Sequence, residues 1–139
     1  MAKNEATVAS EAFSNGLYCS QAVLGAFCEK YGMDKSTALK ISCGLNSGFR
    51  CADMCGAVSG AVLVIGLKYG DSKDTCSSKT EEFIKSFREK NGEVLCRNIL
   101  GCDISTPEGR AKAKKENLFG TVCTKMVFDA ALTLTELGY

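Results

Sequence analysis

The stretch RCADMCGAVSGAVLVIGLKYG, residues 50–70, decides how the chain is read. It joins two cysteines, Cys51 and Cys55, to a run of small residues and then to six apolar or glycine positions, 61–66. A membrane-spanning helix needs roughly 20 consecutive apolar residues, so the segment reads as a central buried helix, about 53–69, with thiols at its entrance. Gly56 and Gly60 lie four apart on one helical face, with Ala57 and Ala61 beside them. Glycine weakens a helix interior by up to about 1 kcal/mol relative to alanine, so the pair marks a close approach. The approaching group is either a neighbouring helix or a cofactor beside Cys55. The run VLVIGL (62–67) would pass for a buried strand in isolation, but its flanks argue for helix, and no convincing period-2 segment occurs elsewhere.

At the head of this helix Asp53 is a candidate N-cap, which places Cys55 in the first turn. Backbone N–H groups and the helix dipole there favour thiolate and lower a cysteine's pKa. An earlier start would instead stack Cys51 and Cys55 at i and i+4. Upstream, GLNSGFR (44–50) reads as a loop, and Asp34 caps a helix over 35–43. A helix over 19–31 stops at Gly32 and presents Ala22, Val23, Ala26 and Phe27 on one face, so Cys19 points toward the core from its first turn. Cys28 falls half a turn away, on the other face. A first short helix covers 4–15.

Downstream, Gly70-Asp71-Ser72 breaks the pattern, and Ser78-Lys79-Thr80-Glu81 matches a capping box before Phe83, Ile84 and Phe87. A short helix over 94–100 carries Cys96, and Thr106-Pro107 opens another. The last, over 121–137, begins near Cys123 and carries Met126, Val127, Ala130, Ala131 and Leu134 at helical spacing. The expected fold is all-α: a compact single domain, 1–139, of five to seven helices around the central one.

A chain of 139 residues can bury a core without staples. Its formal net charge of +1 gives no electrostatic case for nucleic acid or an anionic membrane, and the charged run at 110–116 reads as a solvated helix face. The N-terminal MAKNEATVASEAF lacks an apolar export signal, so the expected location is the cytoplasm, without membrane insertion. The unusual counts are Cys 9 and His 0. An odd number cannot all pair within one chain, and in a reducing cytoplasm many cysteines point to metal, cluster or redox chemistry. Without histidine there is no Ser–His–Asp triad, Cys–His pair or Cys/His zinc finger. The lack of a C-x-x-C knuckle argues against structural zinc.

Cys19, Cys55 and Cys123 each head a buried-looking helix, and Cys96 sits on a short one. Cys19 followed by Ser20-Gln21-Ala22-Val23, the box Cys55-Gly56-Ala57-Val58-Ser59-Gly60, the turn Cys96-Arg97-Asn98-Ile99-Leu100-Gly101, and Cys123 together resemble the C_GCAxxG_C_C family, described as redox-active proteins of about this length. The resemblance runs from about residue 15 to residue 137. It implies that Cys19, Cys55, Cys96 and Cys123 form the site and converge in space. A related region accompanies haem in the split-Soret cytochromes, where an iron–sulfur centre is implied; this chain has no C-x-x-C-H motif for covalent haem.

Three functions follow. The leading expectation is electron transfer through an iron–sulfur cluster held by the four cysteines, the normal complement for such a cluster, with Gly56 and Gly60 leaving room for it. Zinc, or no cofactor, are the alternatives. The second reading is a metal-free thiol–disulfide protein in which Cys55 attacks and a neighbour such as Cys51 or Cys102 resolves. The third is a non-catalytic helical interaction domain. The expected partner is a redox protein or a small-molecule thiol or electron donor; whether the chain is an enzyme stays open. Cys76, in the polar stretch DTCSS, is expected to be the most exposed and least meaningful thiol.

Overall fold

In the computed structural model, which describes residues 4–139, the apolar segment forms helix α4 (Gly56–Tyr69). Residues 56–61, Val64 and Ile65 of it are buried. A helix apolar on nearly every side must be surrounded, and the flanking helices do this. Helix α2 (Cys19–Phe27) lies along α4, helix α1 (Glu5–Ser14) packs on α8 (Thr124–Glu136), and α5 (Lys73–Asn91) closes against both α4 and α8. Helix α3 (Lys35–Ser42) packs on α2, while α6 (Cys96–Leu100) and α7 (Pro107–Lys115) complete the chain. The described residues thus form an all-α bundle of eight α-helices, one more than the expected range. Residues 1–3 of the expected domain lie outside the described residues. Among the described residues, no single helix is long and apolar enough to cross a membrane.

The close approach marked by the glycines is real, and the two do different work. A Cβ on Gly60 would stand 2.6 Å from the carbonyl oxygen of Ser20, so α2 reaches α4 only because that position has no side chain. A Cβ on Gly56 would overlap the sulfur of Cys19. Gly60 serves helix packing, and Gly56 makes room for a thiol rather than a cofactor. Ser20 Oγ donates to the Ser42 carbonyl at 2.7 Å, and Gln21 Nε2 to the Leu39 carbonyl at 3.0 Å, tying α3 to α2. Phe27, Phe83 and Phe87 are the largest fully buried side chains.

Several boundaries differ from expectation. Helix α4 starts at Gly56, so its N-cap is Cys55 itself and not Asp53. Cys51 and Cys55 share no helical face, because residues 48–52 take a separate turn. Helix α5 starts at Lys73, where the Ser72 side chain accepts from Thr75 N–H, and the Ser78–Glu81 box lies inside it. The helix expected over 19–31 tightens into a 3-10 turn, Cys28–Tyr31, and Cys28, read as facing away, is fully buried. A wide π-type turn, Phe119–Cys123, precedes α8.

Candidate functional site

The main core and a smaller apolar cluster meet at a seam. Cys55 belongs to the first and Cys19 packs on it; Cys96, Leu100 and Ile104 belong to the second, with Cys123 and Phe119 packed against it. A cavity of about 300 Å³ opens at this seam, and Cys19, Cys55, Cys96 and Cys123 all line it. The chain therefore gathers at one place four thiols that lie far apart in sequence.

Each is placed by a local device. Cys19 is the first residue of α2, and Tyr18 N–H donates to the Gln21 side chain at 2.9 Å across that first turn. Cys55 and Cys96 are brought together by an isolated antiparallel bridge between Met54 and Leu95. On its two sides Cys55 N–H donates to the Val94 carbonyl at 2.8 Å and Cys96 N–H to the Asp53 carbonyl at 2.6 Å. Arg97 strengthens this clasp by donating to the Ala52 carbonyl at 3.2 Å. Cys123 ends the π-type turn and caps α8.

The part of the wall that sequence reasoning missed is the turn read as a plain loop. Residues 47–50 all have left-handed backbone (φ 54°, 62°, 61° and 61°), and Ala52 has φ 56°. A left-handed conformation costs a residue with a Cβ roughly 1–2 kcal/mol, so Ser47, Phe49, Arg50 and Ala52 are strained together. The turn is locked by Asp53 N–H donating to the Gly48 carbonyl at 3.0 Å, and Asn46 Nδ2 donates to the Cys43 carbonyl at 2.8 Å. Only glycine fits at position 48, where a Cβ would overlap the backbone nitrogen of Asp53. Clustered strain of this kind concentrates at functional sites, and Asn46, Ser47, Gly48 and Arg50 all line the cavity. Arg110 and Lys114, from the run read as a solvated face, line it too.

Burial pushes all four thiols up. Cys55 reaches about 12, because burial and then a charge on Cys19 outweigh the N–H groups of Val58 and Ala57 at the start of α4. The expectation of a lowered pKa at Cys55 is thereby overturned; those N–H groups form no capping hydrogen bond with its side chain. Cys96 rises to about 11 through burial and the charges of Cys19 and Cys102, partly offset by Arg110. Cys123 rises further through burial and the charges of Cys19, Cys55 and Cys96. Cys19 is also raised by burial, but the backbone N–H groups of Ser47, Ser20, Cys19 and Gly56 pull against it. At neutral pH the reduced site therefore holds four neutral thiols, and protonation relieves the repulsion that four gathered thiolates would feel.

This has a stability consequence. A thiol whose pKa is raised on folding keeps its proton to higher pH in the folded than in the unfolded state, so its stabilisation is present below the ordinary value of 9.0 and is lost as pH rises toward about 12. Each such thiol is expected to remove roughly 1.4 kcal/mol per pH unit across its part of that window. Urea midpoints of the reduced protein at pH 8, 10 and 11 check this. Cys55→Ala should flatten the decline; an unchanged slope would show that Cys55 does not contribute.

The iron–sulfur and zinc expectations, and with them metal-based electron transfer, are corrected by the geometry. Among the described residues, no group of three or more Cys, Asp or Glu side chains is placed to hold a metal ion. The four cysteines line the wall of a cavity without forming such a group. All nine cysteines are free thiols.

The remaining cysteines stand apart. Cys51, a candidate resolving thiol, is exposed, donates from Sγ to the Gly48 carbonyl at 3.2 Å, and does not line the cavity. Cys102 packs in the smaller cluster, close enough for its charge to raise Cys96 and Cys123. Cys76 is half-buried against the main core, and the exposed thiols are Cys43 and Cys51, which corrects the expectation for Cys76. It lies on α5, which packs on α4, so the polar stretch is not a loop.

The sequence model of the family described as "Putative redox-active protein (C_GCAxxG_C_C)" matches residues 17–137. No curated protein and no solved structure matches the chain.

Proposed function

The chain belongs to the C_GCAxxG_C_C family, and from that premise we propose that it is a metal-free thiol–disulfide redox protein working through the cavity thiols. The observation that carries this reading is the gathering of four free thiols around one cavity. Cys19 is the charged neighbour with the largest effect on each of Cys55, Cys96 and Cys123. Its sulfur lies against Gly56, the residue next to Cys55.

Cys19 is the attacking thiol in this reading, in place of Cys55. It is less buried than Cys55, which is only 8 % exposed, and four backbone N–H groups favour its thiolate. The Cys19 thiolate attacks one sulfur of a substrate disulfide RS–SR; the S–S bond breaks, and RS⁻ leaves and takes up the proton that Cys19 lost. Cys55, deprotonated in turn, attacks the Cys19 sulfur of the mixed disulfide and expels the second RS⁻, which takes that proton. Two protein thiols become one disulfide, and RS–SR becomes two RSH. Thiols of high pKa make strong nucleophiles when ionised and poor leaving groups, so the Cys19–Cys55 disulfide should resist reduction and the reduced protein should act as a reductant.

The test is disulfide mapping. Reduced protein treated with one equivalent of the neutral oxidant diamide, then unfolded and alkylated, should yield a Cys19–Cys55 linked peptide while Cys43 and Cys51 remain alkylated. Recovery of all four cavity cysteines as alkylated thiols would defeat the reading.

A further inference from the structure

Two arginines that line the cavity converge on one side chain. Arg50 Nη1 donates to Asn46 Oδ1 at 3.2 Å and to Ser47 Oγ at 3.3 Å. Arg110 Nη2 donates to the same Ser47 Oγ at 3.1 Å, and its Nε donates to the Ile104 carbonyl at 3.2 Å. The Arg110 guanidinium also lies 5.7 Å from the centre of the Phe119 ring. Two guanidinium groups thus converge on one hydroxyl, carried by a residue in the left-handed region (φ 54°). Like charges so close repel. Among the described residues, the ion pairs join Lys79–Glu82, Lys90–Glu136, Arg97–Asp53 and Lys125–Asp129; none involves Arg50, Arg110 or Lys114. No carboxylate is among the described residues lining the cavity, whose remaining wall is largely apolar, with Ile99, Leu100, Ile104 and Met126.

We infer that the cavity binds a small anionic disulfide, with a carboxylate held by Arg50 and Arg110 at the mouth and an apolar body laid toward the thiols. The inference rests on the thiol–disulfide reading above and names its substrate class. The carboxylate relieves the repulsion between the two guanidinium groups and accepts their remaining N–H donors, which suit a planar oxyanion. Lys114, one helical turn beyond Arg110 on α7, adds a third cation on the same side. The apolar wall fits an aromatic or aliphatic body, and the volume of about 300 Å³ sets the scale of a small molecule. The reaction is the exchange already written, with the carboxylated disulfide as oxidant, reduced to two thiols.

The test compares two small aromatic disulfides, dithiobis(nitrobenzoate), which carries two carboxylates, and dithiodipyridine, which is neutral. The rate at which the Cys19 thiol is consumed, as the mixed disulfide or as the Cys19–Cys55 disulfide that follows it, is read by peptide mass in the full-length reduced protein. In Arg50→Gln and Arg110→Gln the carboxylated reagent should slow by about tenfold or more, the neutral reagent should keep its rate, and Arg110→Lys should retain much of the preference. Because Arg110 also braces the turn, wild-type protein in low and high salt supplies a readout needing no substitution. Salt should slow only the carboxylated reagent. Modification of Cys19 by both reagents with no charge preference, or equal slowing of both in the glutamine variants, would overturn the anionic substrate and leave the thiol chemistry standing. If neither reagent consumes the Cys19 thiol in the wild-type protein, both readings are overturned.

Discussion

Replacing Cys19 with serine is expected to abolish formation of a disulfide among the cavity thiols, while replacing Cys43 or Cys51 leaves it intact. The expectation follows from position. Cys55 is held as the N-cap residue of α4 and Cys96 is pinned by the Met54–Leu95 bridge, and both are 8 % exposed. Cys19 alone couples to each of the other three as the largest neighbouring charge. Removing its sulfur leaves a hydroxyl that cannot form a mixed disulfide, so the exchange loses its first step. It also removes the charge that helps raise Cys55, whose pKa should then fall from about 12. Diamide oxidation followed by peptide mapping reads the first effect, and alkylation rate against pH reads the second. A Cys19→Ser protein that still forms a Cys55–Cys96 or Cys55–Cys123 disulfide at the wild-type rate would move the attacking role elsewhere. Serine is close in size to cysteine, so loss of the fold is not the expected outcome.

The largest expected effect on stability comes from α4, where two glycines should respond to alanine with opposite signs. At Gly60 the new Cβ would stand 2.6 Å from the Ser20 carbonyl oxygen and 3.2 Å from the Ser20 Cα. Both are backbone atoms, so α2 must move away from α4. Overpacking of this kind costs roughly 1–3 kcal/mol, and here it should exceed the gain of up to about 1 kcal/mol that alanine brings to a helix interior. At Gly66, in the same helix, a Cβ meets nothing within 4 Å. Gly66→Ala should therefore stabilise the protein by up to about 1 kcal/mol. Urea denaturation of both variants decides the matter. Destabilisation by both, or by neither, would mean that the α2–α4 contact is not what Gly60 is for. Gly56→Ala is a different experiment, because its Cβ meets the sulfur of Cys19 and so disturbs the thiol site as well as the packing.

The all-α architecture was legible in residues 50–70 because an apolar run of that length, flanked by glycines and headed by thiols, has few ways to be buried. The same local logic put Cys19, Cys55 and Cys123 at the heads of apolar helices and Cys96 on a short one, and the resemblance to the C_GCAxxG_C_C family joined the four into one set. The two jobs of Gly56 and Gly60 were also half-written there, as a spacing that demands a close neighbour without saying which. What tertiary structure alone decided depends on pairs far apart in the chain. Asp53 and Cys96 meet through a bridge that joins residues 54 and 95, and Ser47 meets Arg110 across a separation of 63 residues. No local pattern encodes either contact, so the left-handed turn passed for a loop and Arg110 for a solvated charge. The thiol pKa values went the same way. A helix N-terminus is visible in sequence and predicts a lowered value at Cys55, whereas burial depends on everything packed around the sulfur and pushes it to about 12. Sequence thus named the four thiols that gather. The distance between their sulfurs, which decides between a metal centre and a dithiol, is set by how eight helices close around a cavity, and that is a property of the packed whole.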